Sequence, residues 1–421
     1  MTHLSSRVSD VPPEVTSWQL WLRVGFRFAA VYCALFWFAN FPVWEPLVIW
    51  VAKNIAGMAE VVTNGHGSGD TSYDYVHFFV RVALALLLSM LWGLLDKRRE
   101  YITGWAWLRA WLRYFLAMMM MSYGMSKLFP LQMPFPDPMR LMQRFGDASP
   151  MRMLWTFIGS APAYQMVLGG MEVLCGLLML QRRTTLAAGL LSVAVSAQIL
   201  LLNLCFDVPV KLLSSHLVAF SLLLIASDLQ GLAKTFFGGS AFRPNNPPRL
   251  MLTRLSHQLF QGVKYGLAMY FLGTQAMSSY ASWEKDQQAK HDFLYGVWEV
   301  PFVNIAPLPP NLPKPAKDAP RWLHLISAYE GHAIVELFPN GRQGLQYELD
   351  MAKKTLTLFQ VDDKSKQIGQ FTFTQPDELG MILNGTLQGR EMTIHLRKKP
   401  MEQFQLISRG FHWVNESPYN R

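Results

Sequence analysis

The sequence predicts a membrane all-α helical bundle of about seven transmembrane helices, followed by a C-terminal antiparallel β-barrel or sandwich of lipocalin-like type. Three observations carry this prediction. Charged residues make up only 16% of the 421 residues and hydrophobic ones 51%, whereas an average soluble chain is about 25% charged. The apolar residues gather in long runs before residue 283. Beyond it, the pattern changes to short alternating runs separated by turn residues.

A membrane span needs about 20 mostly apolar residues. Seven runs meet that length: Trp21–Phe41, Tyr75–Leu95, Trp105–Met125, Tyr164–Leu180, Leu186–Phe206, Ser214–Leu232 and Tyr265–Ser282. Their length and their Leu, Ala and Met content exclude strand cores. The last is the most dilute, carrying Ser, Thr and Gln. The start, MTHLSSRVSDVPPEVTSW, lacks the basic-apolar-small order of a cleaved signal, so the first span is expected to be an uncleaved anchor.

Charge sets the expected orientation. The net charge is +9, and residues 1–281 hold 22 basic against 13 acidic residues, while residues 282–421 hold 16 of each. Basic excess confined to the apolar part indicates membrane topology and excludes a nucleic-acid partner. With a cytosolic N-terminus, 13 basic residues flank the spans on the cytosolic side and six on the other. Seven spans then place the C-terminal domain on the external side of the membrane, which is the periplasm if the membrane is a bacterial inner (cytoplasmic) one.

Between the spans, Pro42–Asp74 holds an apolar stretch, LVIWVAKNIAGMAEVV, expected as a helix on the membrane surface, and a Gly-rich turn, NGHGSGD. Leu128–Ala163 is rich in Pro, Met and aromatic residues and is expected to cap the external helix ends. FGGSAFRPNNPPRLMLTR reads as a cytosolic linker.

The expected domains are a cytosolic tail over 1–20, a helical domain over 21–282, a Pro-rich linker with a first strand over 283–320, and a periplasmic β domain over 321–421. In the last, WLHLISA, AIVELF, LQYELD, TLTLFQ, QFTFTQ, MILNG and MTIHLR have strand character. LYGVWEV before the linker and FHWVNES at the end raise the count to eight or nine. FPNGRQG and Asn384-Gly385 read as hairpin turns. Asn384 and Asn415 also open glycosylation-type triplets. Membrane lipids and a periplasmic or membrane protein docking on this domain are the expected partners.

Polar residues inside the apolar runs are the candidate chemistry, because ionisable groups at membrane depth are costly and face the bundle interior. Tyr123 and Lys127 are one turn apart at the end of the third run. Ser192, Ser196, Asn203 and Asp207 form a helical stripe in and after the fifth. Lys211, Ser215 and His216 open the sixth, and Tyr75, His77 and Arg81 open the second. Glu172 lies alone in YQMVLGGMEVLCGLLML, where it either stays protonated or pairs with Lys127, Lys211 or Arg81. Arg109 and Arg113 are placed to snorkel, and Gly169, Gly170 and Gly176 to allow close helix contact. The three cysteines, Cys33, Cys175 and Cys205, lie in apolar runs with no CxxC spacing, which excludes a thiol redox centre or disulfide framework. No metal, haem or nucleotide is expected.

From YGMSKLFPLQMPFP through GDASPMRMLWTFIGSAPAYQ, QRRTT and LLNLCFDVPVKLLSSH, the chain resembles the DoxX/DoxD-like family of bacterial membrane proteins. The resemblance covers about residues 105–235, the family's four-helix unit. The closing RGFHWVNESPYNR and the β-rich tail resemble its extended form. The family includes a subunit of a thiosulfate:quinone oxidoreductase. The resemblance implies an integral subunit of a quinone-linked oxidoreductase system in a bacterial inner membrane, with quinone as cofactor and a polar site at the periplasmic helix ends. In that reading Glu172, Asp207, His216 and Lys127 are catalytic, and Tyr123, Asn203, Lys211 and Arg81 bind the cofactor. The alternatives are a non-enzymatic scaffold or assembly factor that recruits a periplasmic partner, and a protein handling lipid or another hydrophobic ligand.

Overall fold

The computed structural model describes residues 18–61, 69–239, 254–290, 292–301, 321–338, 341–361 and 363–417. The chain divides into two compact units: residues 1–121 with 172–268, and residues 122–171 with 269–421. Most of FGGSAFRPNNPPRLMLTR and the Pro339-Asn340 turn lie outside the described residues.

The helices in chain order are α1 (Leu20–Trp37), α2 (Trp44–Asn54), α3 (Ser72–Leu95), α4 (Ile102–Leu128), α5 (Pro138–Leu141), α6 (Pro150–Gly159), α7 (Pro162–Leu180), α8 (Thr185–Cys205), α9 (Lys211–Ile225), α10 (Leu229–Gly238) and α11 (Arg254–Ala289). In the first unit α1 and α2 pack on α3, and α8 packs on α9. Small residues permit close approach at two of the three expected glycines, Gly169 and Gly176. A Cβ on Gly176 would meet Met121 at 2.5 Å and the Ala117 carbonyl at 2.8 Å. In the second unit, a Cβ on Gly169 would meet the Gly124 carbonyl at 2.6 Å, whereas Gly170 faces open space.

Among the described residues four helices are long and apolar enough to cross a membrane: α1, α3, α7, and α8 with its preceding turn. A fifth is counted only if α9 and α10, bent by 75°, form one broken span. The expectation of seven spans is therefore too high. The third expected span is helical, as part of α4, but carries Arg109 and Arg113 beside three tryptophans, with Lys127 just beyond it. The seventh is the middle of α11, whose 36 residues are diluted by Gln, Ser and charged side chains. The sixth is interrupted after Ile225; α9 alone has 15 residues, about 22 Å of rise against a hydrocarbon core of about 30 Å. Of the helix expected over LVIWVAKNIAGMAEVV in the first long loop, only the first half is present, as part of α2, which ends at Asn54.

The C-terminal part is a closed antiparallel barrel of eight strands in sequential order. They are β1 (Gly296–Glu299), β2 (Arg321–Tyr329), β3 (His332–Phe338), β4 (Gly341–Asp350), β5 (Thr355–Gln360), β6 (Asp363–Thr374), β7 (Gly380–Leu387) and β8 (Arg390–Lys399). Pairing of β1 with β8 closes the ring. Alternation decides which side chains enter. On β6, Phe371 and Phe373 are buried while Gln370, Thr372 and Thr374 face out. Trp298, Trp322, Leu325, Tyr347, Phe371 and Leu383 meet within the barrel as one apolar cluster.

Two strand-level expectations are corrected. FHWVNES is not a strand; the first and eighth strands already close the ring. Asn384-Gly385 is not a turn but lies within β7, opposite Thr372 and Phe371. A Cβ at Gly385 would lie 2.1 Å from the Gln370 carbonyl oxygen and 2.7 Å from Phe371 Cα. Glycine is needed there for close backbone approach.

Candidate functional site in the helical unit

The first unit places several of the singled-out polar residues at the end where α3 and α9 begin and α1 finishes. Two local devices build that end. Thr71 and Asp74 form a capping box at the start of α3, the reciprocal arrangement that satisfies two orphan amides. The carboxylate of Asp70, beside it, accepts from the Lys211 amide at 2.7 Å and the Leu212 amide at 2.9 Å. Asp70 thus caps α9 from a distant loop and puts negative charge at its positive end. Lys211 Nζ lies 2.8 Å from Asp207 and 3.8 Å from Asp70.

These bonds assign structural work to three expected site residues. Asp207 has a positive φ of 50° in the tight turn before α9, is largely exposed, and pairs with Lys211. Asn203 donates to Ser214 Oγ at 3.0 Å, and Ser192 and Ser221 share a bond of 2.7 Å. Both contacts fasten α8 to α9.

Deeper along the same helices stands a buried polar and aromatic cluster. His216 lies in the second turn of α9. Its Nδ1 is 2.6 Å from the Leu212 carbonyl oxygen, which only accepts, so Nδ1 carries a proton. In the neutral ring Nε2 is then the acceptor. The Tyr32 hydroxyl of α1 stands 2.5 Å from Nε2 and donates to it. The rings of Phe36, Phe78 and Phe220 surround the imidazole, with centroids 4.9, 5.7 and 5.7 Å away.

Arg81 of α3 lies against this cage. Its guanidinium sits 5.2 Å from the centroid of Phe36, the ring that also packs on His216. Only 8% of Arg81 is exposed. Its hydrogen bond is a long one, 3.4 Å, from Nε to the His77 carbonyl oxygen, and no carboxylate among the described residues pairs with it. His77, one turn earlier, is held between Trp44 and Tyr73. Its Nε2 is buried without a hydrogen-bond partner.

The remaining expected residues are placed elsewhere. Glu172 is buried on α7, in the first unit. Lys127, also buried, and Tyr123 lie in the part of α4 that belongs to the second unit. Arg109 does not snorkel: it donates to Asp228, in the elbow between α9 and α10, across 2.9 Å, and both side chains are buried. Tyr32 and Asp70 were missed by sequence reasoning.

In the second unit, polar groups are gathered at the barrel. The Tyr347 hydroxyl donates to Asp292 and lies 3.3 Å from Ser327 Oγ. Burial, then the bond to Asp292, pushes this phenol well above the ordinary tyrosine range. Burial likewise pushes Tyr295 up to about 12, with Asp137 and Asp286 adding to the effect. Lys398 lies over Trp298 at 5.3 Å, and its burial lowers the ammonium below its usual range. On the outer face, His324, Glu336 and Arg342 occupy one cross-strand row, with both His324 and Arg342 bonded to Glu336 at 2.8 Å.

Comparison with known proteins adds one relative. The chain is 28% identical over 128 residues to "Uncharacterized protein YwoB" of Bacillus subtilis (strain 168), a match covering 28% of this chain and 75% of that protein. No protein-family model matches the chain. No solved structure matches it.

Proposed function

We propose that the protein is an integral membrane component of a quinone-linked oxidoreductase system, with its headgroup site at Tyr32, His216 and Arg81. The observation that carries this reading is the buried Tyr32–His216 hydrogen bond of 2.5 Å beside an arginine that forms no ion pair with a carboxylate among the described residues. Such a pair is suited to take a proton from a hydroxyl at the site. Tyr32 Oη would take the proton of a bound quinol O–H while passing its own to His216 Nε2. The anionic oxygen left behind is stabilised by Arg81 in a low-dielectric setting. Complete oxidation of the quinol releases two electrons and two protons. The electrons pass to a redox partner protein, the expected second component. The DoxX/DoxD-like resemblance and the polar residues at these helix ends support the same reading. In this proposal the site lies in a bacterial inner membrane, and a cytosolic N-terminus makes the barrel periplasmic where α9 and α10 form a fifth span.

Roles within the expected set are reassigned in this proposal. His216 and Arg81 keep theirs and Tyr32 joins them. Asn203, Asp207 and Lys211 hold α8, α9 and the Asp70 loop in place. Glu172 remains the candidate for onward proton transfer from α7. The experiment is mass spectrometry of the organic extract of protein purified in mild detergent, with Tyr32→Phe and His216→Gln alongside. Near-stoichiometric quinone in the wild type, lost in both variants with folding retained, supports the proposal. Phospholipid alone in the wild type overturns it.

A second reading, a scaffold that recruits a partner through the barrel, is favoured by one specific observation: Asn203, Asp207 and Lys211 are engaged in internal bonds. A ligand-carrier role for the barrel is less well supported, since large side chains such as Trp298 and Phe371 occupy its interior.

A further inference from the structure

We propose that Arg81 and His77 together hold an oxyanion of the phosphate class, supplied by an anionic lipid headgroup or by free phosphate. This deepens the preceding reading by naming a second ligand chemistry at the same helix ends. It rests on that reading only in taking this cluster as a binding site.

A guanidinium at membrane depth is costly unless a counter-charge compensates it. Arg81 has five N–H donors in a planar fork, of which one makes the long bond to the His77 carbonyl. The carboxylates nearby are not bonded to it. Asp74 attracts Arg81 from beyond ion-pair distance, and its Oδ2 accepts from the Thr71 amide at 2.9 Å and the Thr71 hydroxyl at 2.6 Å. Asp70 caps α9 with both oxygens. Glu45 stands exposed in the first turn of α2. Tyr32, the other polar group at the guanidinium, is neutral and bonded to His216.

The second observation is independent of the first. His77 is 6% exposed, and its Nε2 has no partner. An orphaned ring nitrogen is costly in a native interior and calls for an explanation. His77 and Arg81 are four residues apart on α3 and therefore share a face. As the Nε2–H tautomer, His77 donates to the same anion that the fork of Arg81 grips. Arginine binds phosphate through paired parallel bonds, and the planar fork fits two of its oxygens. Trp44 and Tyr73, flanking His77, are the amphipathic rings that favour the headgroup level of a bilayer.

The test uses the full chain in mild detergent, delipidated, with binding followed by native mass spectrometry and thermal shift. The probes are phosphatidylglycerol, phosphatidylcholine with identical acyl chains, and inorganic phosphate. Selective retention of phosphatidylglycerol, weakened about tenfold or more in Arg81→Gln, supports a lipid source. Saturable phosphate binding lost in the same variant supports free phosphate. Arg81→Lys keeps the charge but removes the fork; it serves if Arg81→Gln does not fold, and is expected to weaken binding as well. Arg342→Gln, on the barrel, is expected to leave binding unchanged. If wild type binds neither probe selectively, or if Arg81→Gln and Arg81→Lys bind as wild type does, the proposal fails. Quinone content, measured before delipidation, separates the two readings. Tyr32→Phe lacking quinone but retaining phosphatidylglycerol leaves this inference standing, and wild type that carries quinone but binds neither phosphatidylglycerol nor phosphate overturns this inference and leaves the quinone reading standing.

Discussion

The Tyr32 hydroxyl and His216 Nε2, 184 residues apart in sequence, face each other across 2.5 Å between α1 and α9. The Leu212 carbonyl, by holding the proton on Nδ1, fixes which nitrogen faces the tyrosine. The relationship ties the first helix of the described chain to the last helix of the α8–α9 pair.

Removing the hydroxyl tests whether this bond does more than fasten helices. Tyr32→Phe leaves His216 Nε2 unsatisfied and is expected to cost about 1–2 kcal/mol of stability. Differential scanning fluorimetry reads that cost, and quinone content per protein reads the functional one. Loss of stability with unchanged quinone would reduce the pair to a packing contact.

Asp70 makes a prediction of a different kind, because it acts on a helix it does not belong to. Asp70→Ala leaves the first amides of α9 uncapped and Lys211 short of one carboxylate. A loss of about 1–2 kcal/mol is expected. Hydrogen exchange is expected to quicken first at Lys211–Ser214, ahead of the rest of the unit. Uniform destabilisation without that local signature would refute the capping role.

In the barrel, Gly385→Ala is expected to be among the most damaging small substitutions. The added methyl meets backbone atoms of β6 rather than a side chain that can turn away. A cost of about 2–3 kcal/mol is expected from such overpacking. Exchange of amides in β6 and β7 is the direct readout, and wild-type protection there would contradict the geometry.

Alkaline titration gives a signed expectation. Tyr347 and Tyr295 are raised in the folded chain, so the unfolded chain loses these protons first. Their stabilisation is intact below about pH 10, the ordinary tyrosine value, and declines above it towards the folded-state values. Lys398, lowered by burial, acts in the opposite sense: its penalty is present at low pH and is relieved as pH rises towards 10.5, its ordinary value. Tyr347→Phe is therefore expected to flatten the fall in barrel stability above pH 10. A slope unchanged in this variant would remove Tyr347 as its source.

Much of this architecture was legible in the sequence. Most of the strands were readable because period-two alternation survives in them, as in TLTLFQ and QFTFTQ, whereas β1 and the Leu325–Ala328 run of β2 are buried at successive residues and were readable by content and turn signals. The helices were equally readable, but the number of spans was not. Arg109 sits in an apolar run for a reason located 119 residues away at Asp228, and the break after Ile225 carries no proline or glycine to announce it.

The site divides in the same way. Arg81 and His216 stand out as polar residues in apolar runs. Tyr32 does not, because in AAVYCALFWF a tyrosine counts as one more aromatic. A hydroxyl that deep in a run does imply a partner, and that was the available signal. Asp70 closes a Gly-rich stretch where Asp is an ordinary turn residue, so nothing local marks it as a cap. Asn384-Gly385 misled for the converse reason: the strongest two-residue turn signal was required by a neighbouring backbone instead.

The closed order of β1 to β8 has a consequence for recognition. A sheet with free edges offers unpaired amides and carbonyls, and a partner can extend it by adding a strand. Closure pairs β1 with both β2 and β8, and so withdraws His324–Ser327 and Arg397–Lys399 from such addition. β1 has only four residues, however, so among the described residues Arg390–Leu396 of β8 has no strand on that side. Elsewhere on the ring a docking protein reads side chains and turns, for which the His324–Glu336–Arg342 row supplies one patterned surface. The same closure limits strand-to-strand self-association in a domain rich in Leu, Ile, Phe and Thr.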